Sequence, residues 1–487
     1  MINNNIHTNI SWNIIDSMFK ENPNLFVEHH ISSYNTFFSS KIRNIFNDNN
    51  PSILHKQFND KLNDYNLKCH MYFGGKDNSK IYYGKPVIYD DNEYSHLLFP
   101  NEARLKNKTY GFNIYYDIDV IFQIYNLEKN VYETEELTLY KICLGKFPIM
   151  LKSNLCLLNK LSPTASFNLG ECINDKGGYF IIDGKEKVIV CQEQFANNTI
   201  YIKDNYNDVY SHNAEIRSVS EDSSKPIRVT SVKIIRPNDK YTNNQIVVSI
   251  PNVRKPIPLF IVFRALGILS DKRIIQYILL NLEKYDNFLH LLIPSIHDSN
   301  TIFTQDTALK YISTFTKHKT IPTTMNILIN YFLPHIGEYQ FHQKAMFLGY
   351  MTFKLLKVFK NIDKPTDRDS FKYKRIETTG SLLYNLFREY YQSMLHVIVK
   401  RFDNEYYYKN NSKIYDDDNF VNLIKNNYKT FFNEDGFSVQ NGFVKAFKGQ
   451  WGSKEYTSKE GIVQDLNRLS YNSALSHCRK LNLPLSS

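Results

Sequence analysis

The chain has 487 residues, 42% hydrophobic and 14% aromatic, which supports sizeable cores and about three domains and excludes an intrinsically disordered protein. Its net charge of +10, from 59 basic and 49 acidic residues, permits a polyanionic partner without requiring one, because the cations are dispersed and the acidic run Tyr415–Asn419 interrupts them. Six cysteines without close spacing exclude a zinc knuckle, a redox pair and a secreted disulfide framework.

The N-terminus has no basic segment leading into an apolar one, so no secretory signal is expected. Residues 10–50 are expected to be helical, with Trp12, Ile15 and Phe19 at helical spacing. From about residue 68 to 150 the pattern turns to strands, seen in KIYYGKPVIY and NIYYDIDVIFQIY. Between them LFPNEARLKNKTY (98–110) reads as a turn and a short basic helix. Pro148 makes the following stretch an edge strand or a bend.

GGYFIIDGKEKVIVCQE (177–193) reads as a hairpin. Asp183-Gly184 suits a type I′ turn, which needs positive φ at both central positions. Lys185 and Lys187 fall near its tip, which the spacing alone reads as solvated. Further strands follow, then a helical block from roughly 258 to 400, with a polar, turn-rich boundary at 361–375. The most apolar run, Ile257–Leu269, is too short for a bilayer and contains Arg264, so a soluble, intracellular protein is expected. Near the end, Ile462, Leu466 and Leu469 recur as one face of a short helix. Ser470 or Asn472 caps a second helix that carries Leu475, with Arg479 and Lys480 near its C-terminal end, where the helix dipole favours cations. After LNLPLSS no closing element is expected.

No phosphate loop, H-E-x-x-H helix or G-x-S-x-G elbow occurs. Asp117 and Asp119 share one face of a strand as a candidate metal pair, or as its exposed polar face. His477 is a candidate ligand or base, or a structural histidine at a helix end.

Read in order, LLFPNEARLKNKTY, LGKFPIMLKSNLCLL, GGYFIIDGKEKVIVCQE, SHNAEIRS, PIPLFIVFRALGI, MFLGYM, DRDSFKYKR and GIVQDLNRLSYNSALSHCRKLNLP resemble the second-largest, beta-class subunit of multisubunit DNA-directed RNA polymerase. The likeness is to its eukaryotic and large-DNA-virus type and covers nearly the whole chain. It implies a multidomain α+β fold: a protrusion at 1–193 and 375–435, a mainly helical lobe inserted at 194–374, and a fork at 436–487. The hairpin would close the first protrusion segment. In the family the fork continues into a hybrid-binding core, a wall and a clamp segment with a zinc site. This sequence stops inside what resembles the second fork loop, so it looks like an N-terminal piece.

The resemblance implies no catalytic residue and no metal in this chain. The catalytic Mg2+ would be held by the largest subunit. Gln464 and Arg468 would approach nascent RNA or support the hybrid pocket, and His477, Arg479 and Lys480 would line the same wall. An amide and cations can hold phosphate and sugar without reading sequence. For Arg468 a buried ion pair within the fork is a nearly equal alternative. Lys106, Lys108, Lys185 and Lys187 are weaker electrostatic candidates or solvated side chains. Expected partners are the largest subunit, the polypeptide supplying the rest of the second subunit, other polymerase subunits, template DNA and nascent RNA, with no membrane. The compartment would be the nucleus or, for a viral protein, a cytoplasmic factory or the virion. The rival function is a stand-alone nucleic-acid binder left by an interrupted gene.

Overall fold

A computed structural model of the chain describes residues 2–60, 64–89, 94–126, 129, 131–220, 226–237, 244–411, 419–434, 437–455 and 457–483. The acidic run at 415–418 and the expected boundary at 435/436 lie outside the described residues. The chain is α+β and divides into two units, Met1–Gln194 with Ile376–Ser487, and Phe195–Arg375.

The first unit is built on a five-stranded antiparallel sheet in the order Ser52–Asn59, Asp64–Phe73, Gly111–Asn126, Ile81–Tyr83, with Val131–Pro148 also paired to Gly111–Asn126. Alternation along Gly111–Asn126 buries Val120 and Phe122 on the core face. An aromatic core joins that face to the helices Ile42–Asn49, Thr379–Asn411 and Phe437–Phe447. Its ring contacts include Phe46 with Tyr391 at 4.8 Å, and Phe147 with Phe443 at 4.9 Å. Such rings each bury on the order of 150–250 Å², which makes them the main source of stability here. Gly380 lets the long helix touch the Glu28–Thr36 helix, since a Cβ there would lie 1.9 Å from the Ser33 carbonyl oxygen.

The N-terminal helix Ile2–Glu21 forms, but its apolar stripe is not covered: Trp12 is 64% exposed, and Ile15 and Phe19 are exposed as well. Asp117 is buried, not part of an exposed polar face. The pairing register shifts between Tyr116 and Ile118, so Asp117 sits at a bulge. There its carboxylate accepts from the Lys141 amide at 2.7 Å and from the Tyr82 hydroxyl at 3.1 Å.

The second unit opens with a sequential antiparallel sheet, Ile200–Asp204, Tyr210–Ser218, Arg228–Ile235, Ile246–Ser249 and Ile257–Pro258. Helices follow, from Leu259–Ala265 to Phe341–Phe359. Arg264, the charge inside the apolar run, is 1% exposed. It donates to the Ser299 carbonyl at 2.7 Å, to the Ile302 carbonyl, and to Asp271 at 2.5 Å. Both terminal nitrogens are paired, which makes the buried guanidinium tolerable, although its Nε has no partner among the described residues. Among the described residues no helix is long and apolar enough to cross a membrane.

Candidate nucleic-acid interface

The hairpin read from the sequence is present. Phe180–Ile182 pairs with Lys185–Ile189, and Asp183 and Gly184 turn with φ of 48° and 78°. The segment after Gly461 is not a helix. Val463–Asp465 adds to the hairpin as a third antiparallel strand, with Gln464 opposite Val188 and Asp465 opposite Lys187. Ile462 is buried beneath it, while Leu469 is 93% exposed, so the three apolar residues never share a face. An open strand edge offers every backbone group in the segment a partner, which three apolar residues at helical spacing do not.

The chain turns at Leu466–Ser470 and enters the helix Tyr471–Cys478. Ser470 is its cap, accepting from the Ser473 amide at 3.1 Å. Beyond the helix Leu481–Asn482 pairs in parallel with Cys191–Gln192, a closing element that the sequence does not suggest.

Three of the expected residues meet on this frame. The Gln464 side-chain oxygen accepts from His477 Nε2 at 3.0 Å and from Lys480 Nζ at 3.4 Å, and its amide nitrogen donates to the Gly461 carbonyl at 2.9 Å. His477 Nδ1 accepts from the Asn467 amide at 3.2 Å. A ring nitrogen that accepts carries no proton, so His477 is neutral with its proton on Nε2. Partial burial, and then the Lys480 charge, lower its pKa and reinforce that state. Arg479 is exposed at the end of the helix and lies 5.6 Å from the Phe26 ring.

Arg468 is placed apart from them, in an ionic cluster under the hairpin. Its Nε donates to Glu186 at 2.6 Å and its Nη2 to Asp175 at 3.0 Å, with the guanidinium 4.9 Å from the Tyr179 ring. Arg104 approaches Glu186 from the other side, Nε to carboxylate 2.9 Å, and also donates to Glu171 and to the Tyr179 hydroxyl. Burial opposes the charge of Arg468, but Glu186 and Asp175 outweigh it and hold the guanidinium above its ordinary pKa. Burial likewise opposes ionisation of Asp175, yet the Gly177 amide, the Tyr179 hydroxyl and Arg468 keep it below the usual carboxylate range. Arg468 is thus ion-paired, but to carboxylates of the 1–193 segment and not within the fork, and its side chain stays 43% exposed.

The hairpin tip is not simply solvated either: Lys187 pairs with Asp465, and Glu186 serves both arginines. Lys106 pairs with Glu102 at 2.8 Å. Sequence reasoning does not single out Arg104, Glu171, Asp175, Tyr179 or Glu186. All five lie in the quoted segments or beside them, but nothing in their spacing shows that they converge.

Asp119 bonds Lys80 at 2.8 Å and Thr138 at 3.1 Å, while Asp117 faces its bulge, so the two aspartates do not form a metal pair. Among the described residues His29, His30 and Cys191 lie close enough to share an ion. His30, however, uses both ring nitrogens, on the Thr379 hydroxyl and the Cys478 carbonyl, each at 2.6 Å. Burial pushes the Cys191 thiol up to about 11. His30 is thus held by hydrogen bonds at both nitrogens.

The hairpin is thus extended by a distant strand and carries a neutral amide–imidazole pair beside two cations. Residues 25–422 match the family described as RNA polymerase beta subunit, and the chain belongs to that family. It is 32% identical to DNA-directed RNA polymerase II subunit RPB2 of Encephalitozoon cuniculi, over 98% of this chain and 40% of that protein. It is 34% identical to DNA-directed RNA polymerase II subunit 2 of Arabidopsis thaliana, over 83% of this chain and 34% of that protein. It is 27% identical to DNA-directed RNA polymerase subunit Rpo2N of Methanothermobacter thermautotrophicus, over 98% of this chain and 86% of that protein. The chain thus spans 34–40% of the length of these eukaryotic relatives.

Proposed function

We propose that this chain forms the N-terminal part of the second-largest subunit of a DNA-directed RNA polymerase and serves DNA-templated RNA synthesis inside the cell. Family membership and the Gln464–His477–Lys480 cluster support this reading. In this reading Met1–Gln194 with Ile376–Ser487 would hold the protrusion and the fork, and Phe195–Arg375 the lobe. The chain contributes position and charge, not a catalytic side chain. Gln464, His477, Arg479 and Lys480 hold the nascent RNA or its hybrid by the backbone, without reading bases. Arg468 supports that surface from its ionic cluster. The magnesium ions of nucleotidyl transfer are held by the largest subunit, and the rest of the second subunit, other polymerase subunits, template and transcript complete the assembly.

The observation that carries the reading is the hydrogen-bonded cluster of Gln464, His477 and Lys480 next to Arg479, on a strand edge in a chain of this family. Affinity purification of the tagged chain from its native cells, with mass spectrometry and a template-dependent RNA synthesis assay on the eluate, tests it. The expected result is co-purification of the largest polymerase subunit together with RNA synthesis. Recovery of the chain alone, binding nucleic acid but without polymerase subunits, would establish the stand-alone binder instead.

A further inference from the structure

The ionic cluster under the hairpin adjoins a bond on which the interface depends. Residue 467, next to Arg468, donates its backbone amide to His477 Nδ1 at 3.2 Å. The turn that carries this amide has few bonds of its own; one is the Leu469 amide to the Asn467 side chain, 2.9 Å. The Leu466 amide ties its start to the Glu186 carbonyl at 2.9 Å, and beyond Asn467 the side-chain attachment is the Arg468 guanidinium, which reaches Glu186 at 2.6 Å and Asp175 at 3.0 Å. Both carboxylates are held from behind. Arg104 donates to Glu186 at 2.9 Å, and Asp175 accepts from the Gly177 amide at 2.9 Å and from the Tyr179 hydroxyl at 2.7 Å. A planar guanidinium bridging two fixed carboxylates constrains direction as well as distance, which a lysine in its place would not do.

The bonds then run in one sense. If the Asn467 amide points at Nδ1, the His477 proton stays on Nε2. Nε2–H then selects the oxygen of the Gln464 amide, and that oxygen is the atom within 3.4 Å of Lys480 Nζ. With the turn released, imidazole can exchange tautomers and the amide can rotate, which would set an NH2 group against the lysine.

We infer that Arg468 is a positioning residue: by gripping Glu186 and Asp175 it holds the Leu466–Ser470 turn so that His477 and Gln464 keep one orientation at the interface. The purpose of that orientation rests on the function proposed above, whereas the coupling itself does not.

The test uses the full chain labelled with nitrogen-15 histidine, with His477 assigned from a His477→Asn variant. In the unaltered chain the Nδ1 shift should be that of an unprotonated acceptor and the Nε2 shift that of a protonated donor. In Arg468→Gln the two shifts should move toward each other as the tautomers exchange, and the Asn467 amide should lose its hydrogen-exchange protection. Arg468→Lys should fall between the two. If Arg468→Gln does not fold, Asp175→Asn loosens one side of the grip and should give the intermediate shift. A folded Arg468→Gln or Asp175→Asn with unchanged shifts and protection overturns the inference.

Binding of a single-stranded oligonucleotide RNA at several salt concentrations separates positioning from contact. A positioning role lowers affinity severalfold and leaves the slope of log K against log salt unchanged. Direct contact with phosphate lowers that slope by about 0.7, and this result would also overturn the inference. If the unaltered chain binds no RNA, the functional reading fails, and the nitrogen shifts still decide the coupling.

Discussion

His30 is fully buried and ties three distant segments together. It belongs to the Glu28–Thr36 helix, its Nδ1 meets Thr379 at the start of the long helix, and its Nε2 meets the Cys478 carbonyl at the end of the Tyr471–Cys478 helix. Burial, with the neighbouring His29 adding to it, lowers its pKa from 6.5 to about 4. The unfolded chain therefore binds this proton more readily than the folded one between those values. Stability from His30 is intact above pH 6.5 and is lost as pH falls toward 4. A tenfold difference in proton affinity corresponds to about 1.4 kcal/mol, so the loss from pH 7 to pH 5 is about 2 kcal/mol.

The assay follows from the sequence. Trp12 and Trp451 are the two tryptophans, both in the first unit, and Trp451 is buried. Tryptophan emission during urea unfolding thus reports that unit alone. His30→Gln keeps a donor for the Cys478 carbonyl and cannot titrate. The pH dependence of the unaltered chain should exceed that of the variant by about 2 kcal/mol between pH 7 and pH 5. Equal pH dependence in the two proteins would refute the reasoning.

Replacing Arg479 and Lys480 by alanine should weaken single-stranded RNA binding and reduce the salt slope by about 1.4, since each phosphate contact contributes about 0.7. Fluorescence anisotropy between 50 and 200 mM salt, roughly the range over which such contacts fade, measures it. Gly380→Ala drives a methyl group into the Ser33 carbonyl and should destabilise the first unit by about 1–3 kcal/mol, read from the same tryptophan emission. Arg264→Leu leaves the Ser299 and Ile302 carbonyls without their donor and should cost the second unit about 2–4 kcal/mol. Faster hydrogen exchange across residues 289–303 would report that loss.

What is legible in the sequence is local chemistry. Asp183-Gly184 specifies its own turn, and Ser470 caps its own helix, because the groups involved lie within a few residues. The strand at Val463–Asp465 reads as a helix because its true partner is the hairpin, far away along the chain, and apolar spacing carries no record of an available edge. Asp117 escapes the same kind of reading because a bulge cannot be seen in an alternating pattern. For Arg468 the sequence leaves an ion pair open but does not name its partners. Only folding shows that Glu186 and Asp175 claim it, while Arg479 stays exposed. Arg264 in an apolar run argues against a membrane span, but its carbonyl partners are set by the packing of the second unit.

The third strand of the hairpin sheet has a consequence for biosynthesis. Arg468 and Glu186 are 282 residues apart. At 5–20 residues per second the ribosome needs roughly 15–60 s to cover that distance. During that interval the Lys185–Ile189 edge has emerged without its neighbour, so the hairpin exists for a time as an unfinished sheet with hydrogen-bonding groups free to capture a foreign strand. The charged residues along it, Lys185, Glu186 and Lys187, are of the type that discourages such capture. They protect the nascent edge before two of them become the anchors of the finished surface.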